Sequence, residues 1–194
     1  MGSDGDTKVM GDDGSVGIVE YLHCPGRIAM AHRGFTAFRL PIDSMGAFRE
    51  AARLGFRYIE TDVRTTRDGV AVIQHDRRLE QTSGVPGPVD QLYWRDVRKA
   101  DLGAGETIPT LEDLLTALPD VRVNIDIKAD SGVEPSVNVI ERLNAHSRVL
   151  VTSFSEHRRR RALCLLSKRV ASWAGSTGRS GLVAQGVNSV VKHH

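Results

Sequence analysis

Cysteine is nearly missing from this chain. Cys24 and Cys164 are the only two, too few for a disulfide framework and without metal-ligand spacing. They are expected to be small buried apolar residues in a reducing compartment. A strong charge of either sign is also missing: the formal net charge is +2, so composition demands no nucleic acid partner. No apolar run is long enough to span a membrane. The opening "MGSDGDTKVMGDDGSVG" is acidic and Gly-rich and lacks the basic start and apolar core of a signal peptide. Residues 1–25 are therefore expected to be a flexible tail, and a cytoplasmic location follows. What is present is ordinary: 194 residues, 40% hydrophobic and 26% charged, enough for one globular domain over residues 26–194 with a real core.

The stretch "YIETDVRTTRDGVAVIQHD" (58–76) is the most informative. In a strand, residues two apart face one side, so Glu60 and Asp62 point together. Asp68-Gly69 is a turn signal, because glycine takes positive φ at little cost. "VAVIQH" then reads as a returning strand that brings His75 opposite residues 60–62. Two acids and an imidazole would share a small volume; an exposed hairpin with solvated charges is the alternative.

Elsewhere, "GRIAMAHRG" (26–34) reads as a short buried strand ending at His32-Arg33-Gly34. Residues 43–55 read as a helix capped by Asp43 or Ser44, with Met45, Phe48, Ala52 and Leu54 on its apolar side. "TSGVPGPVDQ" reads as a loop and "YWRDVRKADLG" as a short amphipathic helix. "PTLEDLLTAL" (109–118) reads as a helix with Thr110 at its start and Asp113 three residues on. "VRVNIDIKA" (121–129) is a strand with Val121, Val123, Ile125 and Ile127 on one face and Asn124, Asp126 and Lys128 on the other. A helix from 135, a strand at 148–155, a basic helix at 156–168 and a strand at 169–175 follow. Residues 181–192 can add a helical turn and a sixth strand. The alternation predicts an α/β fold with a parallel sheet. His32, Glu60, Asp62, Asp126, Lys128 and Ser153 cluster near strand C-terminal ends, where a (β/α) barrel carries its active site. The run "HRRRRALCLLSKR" is expected to be a solvated face beside an apolar one.

Taken as an ordered set, "AHRG" (31–34), "IETD" (59–62), Thr66-x-Asp68-Gly69, "QHD" (74–76), "IPTLEDLL" (108–115) and "NIDIK" (124–128) resemble the glycerophosphodiester phosphodiesterase family over residues 27–154, more faintly to about 175. The resemblance implies a TIM barrel with a small insertion after the second strand. It implies metal-dependent hydrolysis of a glycerophosphodiester to glycerol 3-phosphate and an alcohol. The family's catalytic histidines fall on His32 and His75 and its metal-binding carboxylates on Glu60, Asp62 and Asp126. Its phosphate-contacting residues fall on Arg33 and Lys128. Three carboxylates suit Mg²⁺ or Ca²⁺, and two imidazoles suit proton exchange with the attacking and leaving oxygens.

Other readings of the same residues stay open. Glu60 and Asp62 could be barrel-interior carboxylates paired with Lys128 or Arg33, Asp126 could pair only with Lys128, and His32 could be a core histidine. The chain also departs from the family. Asp126 stands where a Glu is usual. "PIDS" (41–44) replaces Pro-Glu-Asn-Thr, so Ile42 removes an acid and Asp43 takes the place of an amide. Five or six of eight strands are legible, which predicts a C-terminally short barrel. Its open edge could be capped by a second copy of the chain. An inactive phosphodiesterase-like protein and a lysophospholipase D-type activity are the alternatives to the main function.

Overall fold

The computed structural model describes residues 20–23, 28–36 and 39–174. Five parallel strands form the body of a six-stranded sheet: β1 (Met30–His32), β2 (Tyr58–Thr65), β6 (Arg122–Ile127), β7 (Val149–Ser153) and β8 (Ala171–Ala174). They are paired in the order β1-β2-β6-β7-β8. Among the described residues β1 and β8 each pair on one side. β2 is long enough to serve twice on one edge: its first half pairs with β1, and its second half pairs antiparallel with β3 (Ala71–Ile73). The turn between β2 and β3 rests on residue chemistry. Gly69 takes φ 84°, the Thr66 hydroxyl donates to Asp68 Oδ1 at 2.7 Å, and Val70 N donates to Thr66 Oγ1 at 3.0 Å.

Helices cover the outer face. α1 (Met45–Arg53) is capped by Ser44, whose Oγ accepts from Ala47 N at 3.2 Å. Ala47, Phe48 and Ala51 are its buried residues. Leu54 was expected on that face but is exposed, because it sits at the C-cap where the chain has already left the helix. Between β3 and the next core helix lies the expected insertion. It comprises α2 (Glu80–Ser83), a 3₁₀ turn at Val89–Gln91, α3 (Trp94–Val97) and a hairpin of β4 (Asp101–Gly103) and β5 (Glu106–Thr107). The segment read as one helix over "YWRDVRKADLG" is thus half helix and half strand. Its apolar residues Leu79, Val89, Val97, Ala100 and Ile108 gather with Val72 into a core of their own. That tertiary demand overrides the helical spacing.

α4 (Leu111–Ala117) begins with the reciprocal cap the sequence predicted: Asp113 N donates to Thr110 Oγ1 and Thr110 N donates to the Asp113 carboxylate. α5 (Val133–Arg142) starts two residues earlier than the periodicity suggested. α6 (Glu156–Leu165) carries the basic run. Two of its arginines, Arg158 and Arg159, are less solvated than expected, while Arg160 and Arg161 keep the solvated face. Arg158 bonds Asp130, and Arg159 bonds both Glu156 and Ser172, each half-buried, while Arg160 and Arg161 pair with Glu156 and Glu134. Cys164 is exposed rather than buried, since Ala162 is the residue α6 turns inward. Cys24, and the turn and sixth strand expected over 181–192, lie outside the described residues.

Residues 1–19 of the expected tail also lie outside them, but residues 20–23 are folded: Tyr21 is buried edge-on against Tyr58, whose hydroxyl donates to the Tyr21 carbonyl. No helix among the described residues is long and apolar enough to cross a membrane.

Candidate active site

The site grows from the register of three adjacent strands. His32 lies opposite Glu60, and Asp62 lies opposite Asp126. Even-numbered residues of β2 and β6 share the face away from the helices, so Val63, Val123, Ile125 and Ile127 enter the core while the acids do not. β1 ends in a tight bend. Arg33 takes φ 55° and Gly34 φ 87°. A Cβ on Gly34 would stand 2.8 Å from Ala47 Cβ, so glycine is what lets α1 approach. The bend returns through Asp43, whose N donates to the Arg33 carbonyl at 3.0 Å.

These turns place Arg33 and Lys128 among carboxylates. Lys128 Nζ is 2.7 Å from Asp62 Oδ1 and 2.6 Å from Asp126 Oδ2. Arg33 Nε is 2.9 Å from Asp62 Oδ2 and 3.9 Å from Asp43 Oδ2. The Arg33 and Asp62 atoms are in ion-pair contact, yet the N–H is not aimed to form a hydrogen bond. Asp62 is 1% exposed, a degree of burial an ionised carboxylate tolerates only with such partners. Burial, and then the charge of Asp62, push Asp43 up to about 7 and Glu60 up to about 8. Burial works against the Lys128 ammonium, but the hydrogen bonds it donates to Asp126 and Asp62, with their charges, outweigh burial and raise its pKa.

The imidazoles are held separately and are half-exposed. His32 Nε2 is 3.5 Å from Glu60 Oε2. His75 follows β3: Gln74 N donates to the Asp62 carbonyl at 3.0 Å, and Arg64 Nε donates to the His75 carbonyl at 2.8 Å. His75 Nδ1 lies 2.7 Å from Asp76 Oδ1. A carboxylate only accepts, so a neutral His75 carries its proton on Nδ1 and keeps a lone pair on Nε2. Of the residues singled out in the sequence, the structure joins Arg33, Asp62, Lys128 and Asp126 in one ion-pair chain and His32 to Glu60. It pins His75 to β2 through backbone rather than side chain.

Two participants were given no catalytic or binding role by the sequence. Asp43 was weighed as a helix cap, but Ser44 caps and Asp43 turns into the site, accepting from the Thr61 hydroxyl at 3.3 Å. Asp76 lies within "QHD", and its adjacency to His75 was the available signal.

The donor chemistry fits a hard divalent cation. Glu60 Oε2, Asp62 Oδ2 and Asp126 Oδ1 are buried oxygens that accept no hydrogen bond, the atoms such an ion takes. Among the described residues, though, no three His, Cys, Asp or Glu side chains stand together as a metal shell. The ammonium of Lys128 is what Asp62 and Asp126 share.

A model of the glycerophosphoryl diester phosphodiesterase family matches residues 32–179. The probable glycerophosphodiester phosphodiesterase 2 of Mycobacterium tuberculosis is 75% identical over 164 residues, 84% of this chain and 62% of that protein. The crystal structure of an Agrobacterium tumefaciens glycerophosphodiester phosphodiesterase superposes with TM-score 0.67 at 28% identity, over 72% of this chain and 63% of that one. An Oleispira antarctica phosphodiesterase, solved with the product sn-glycerol-3-phosphate, superposes with TM-score 0.68 at 22% identity, over 80% and 67%. The chain spans roughly three fifths of the curated relatives it matches, 62%, 59% and 57% of their lengths. The parallel sheet with helices outside is the TIM-barrel type of these structures. By the extent of the match and the placement of its motifs, this chain belongs to the glycerophosphoryl diester phosphodiesterase family.

Proposed function

We propose that the protein hydrolyses glycerophosphodiesters to glycerol 3-phosphate and an alcohol. The observation that carries this reading is the cluster itself: two basic side chains and two carboxylate-paired imidazoles at or just past the C-terminal ends of β1, β3 and β6, set against Glu60 and Asp62 within β2. A phosphodiester repels nucleophiles with its charge. Arg33 and Lys128 would bind its free oxygens and offset the charge that builds in the transition state. His75, its Nδ1 proton held by Asp76, has the free Nε2 of a general base; His32 beside Glu60 is the complementary acid. In the first step the 2-hydroxyl oxygen of the glycerol bonds to phosphorus and gives its proton to His75. The bond from phosphorus to the alcohol oxygen breaks, and that oxygen takes a proton from His32. Water then opens the cyclic phosphate with the two imidazoles in reversed roles.

Glu60, Asp62 and Asp126 would hold a divalent cation, Mg²⁺ or Ca²⁺, which supplies further neutralisation of the phosphate. The expected partner is thus a small glycerophosphodiester. A second reading, a lysophospholipase D-type activity on an acylated diester, is favoured by the exposure of Phe154 and Trp173 at the ends of β7 and β8.

Release of glycerol 3-phosphate from glycerophosphoglycerol, followed with a coupled dehydrogenase, tests the first reading. His32→Ala and His75→Ala should each cut turnover roughly a hundredfold or more with folding unchanged. Near-normal turnover in both variants rejects the acid/base assignment.

A further inference from the structure

A cavity of about 300 Å³ opens beside Lys128, between the end of β2, the insertion and the loop after β6. That volume is at the small end of ligand pockets. Four cations line it, Arg64, Arg77, Lys128 and Arg158, against two carboxylates, Asp90 and Asp130. Three of the cations are already matched. Arg77 pairs with Asp90 at 3.0 Å and Arg158 with Asp130 at 2.8 Å. Lys128 is divided between Asp62 and Asp126. Arg64 is the exception. It is half-buried, its Nε donates to the His75 carbonyl, and no described carboxylate lies within ion-pair distance of it. Asp76, Asp62 and Asp90 attract it from beyond that distance, but burial outweighs them, and a half-buried guanidinium so weakly compensated is costly. An anion arriving in this cavity would meet Arg64's two remaining NH₂ groups, a fork that matches phosphate or carboxylate.

We propose that this cavity is a subsite for the alcohol half of the substrate, and that it selects alcohols bearing a second anionic group, a phosphate above all. The inference rests on the phosphodiesterase reading of the neighbouring cluster. Because Lys128 belongs to both, a diester bound at the cluster places one of its two arms in the cavity. Glycerol, neutral and small, gains nothing from Arg64; an anionic arm does. A choline or ethanolamine arm would meet like charge.

The test compares bis(glycerophospho)glycerol, whose leaving alcohol carries a second phosphodiester, with glycerophosphoglycerol, which is the same diester without it. The ratio of their kcat/KM values within one protein divides out damage to His75. In the wild type the ratio should be about tenfold, what one charge-assisted hydrogen bond supplies, well above the twofold that two equivalent diesters give. Arg64→Gln should bring it to about two. Asp90→Asn, which removes a lining carboxylate, should raise it. Equal kcat/KM per diester in the wild type, with both substrates cleaved, overturns the subsite and leaves the phosphodiesterase reading standing. If neither is cleaved, that reading fails, and calorimetric titration of the two compounds still decides the subsite. Tighter binding of the doubly charged compound, lost in Arg64→Gln, supports it, and equal affinities overturn it.

Discussion

Replacing Lys128 by Met separates the two things that can neutralise Asp62 and Asp126. In the structure that role falls to the ammonium, 2.7 Å from one carboxylate and 2.6 Å from the other. Its side chain is 14% exposed and that of Asp62 1% exposed, so solvent screening is slight. Removing one partner of such a pair leaves charge buried without compensation, at a cost of about 3–5 kcal/mol. Met keeps most of the volume, which confines the loss to charge. If the same carboxylates hold Mg²⁺ or Ca²⁺, the variant regains stability as the ion is added, by about 2.7 kcal/mol at a hundredfold excess over Kd. The wild type should gain less, because its ammonium competes for the same oxygens. Urea unfolding of both proteins, with chelator and across a titration of each ion, reads this directly. A loss below about 1 kcal/mol would show that the pair is dispensable, since surface pairs contribute no more than that. A full loss that neither ion relieves would refute the assignment of Asp62 and Asp126 as cation ligands.

Gly34→Ala should be destabilised by about 2–5 kcal/mol in chemical denaturation, from left-handed backbone and from the 2.8 Å approach to Ala47; a change within about 0.5 kcal/mol would mean the bend relaxes freely. Glu141 is held down to about 2 by hydrogen bonds from Ser167 N and Oγ and from His146. A carboxyl lowered in the folded state stabilises above its unfolded value, about 4.3, and loses that stabilisation as pH falls toward 2. Melting temperatures of wild type and Glu141→Gln should therefore differ near pH 6 and converge by about pH 2, and a constant gap would refute the linkage.

The legible parts of the fold were those set by local chemistry. The Thr110/Asp113 cap, the Asp68-Gly69 turn and the alternation along 121–128 each depend on residues within a few positions of one another, and each stands as read. The segments that misled depend on distant partners. Leu102 fits a helix until the insertion builds its own core, whereupon residues 101–103 pair with 106–107 as strands. Asp43 reads as a cap from sequence, but its destination depends on Arg33 and Thr61, ten and eighteen residues away. No feature of the sequence singles out Arg64. Its place in a cavity, with no carboxylate in contact, appears only when the insertion and the β6 loop close around it.

The charge of the cluster links these particulars. Four carboxylates, Asp43, Glu60, Asp62 and Asp126, stand against two permanent cations, Arg33 and Lys128. Fully ionised, the group would carry two uncompensated negative charges in a setting where Asp43 and Asp62 are nearly inaccessible to water. That state is unfavourable, and two remedies exist. One is protonation, and the two acids pushed upward, Glu60 to about 8 and Asp43 to about 7, are those without an ammonium partner. The other is a divalent cation, whose charge would equal the deficit and for which the three buried oxygens that accept no hydrogen bond would serve as donors. Asp43 matters to that equality. With an amide at that position the deficit would be one charge rather than two. Asp43→Asn should therefore weaken the retention of a divalent ion while leaving the Lys128 bridge intact.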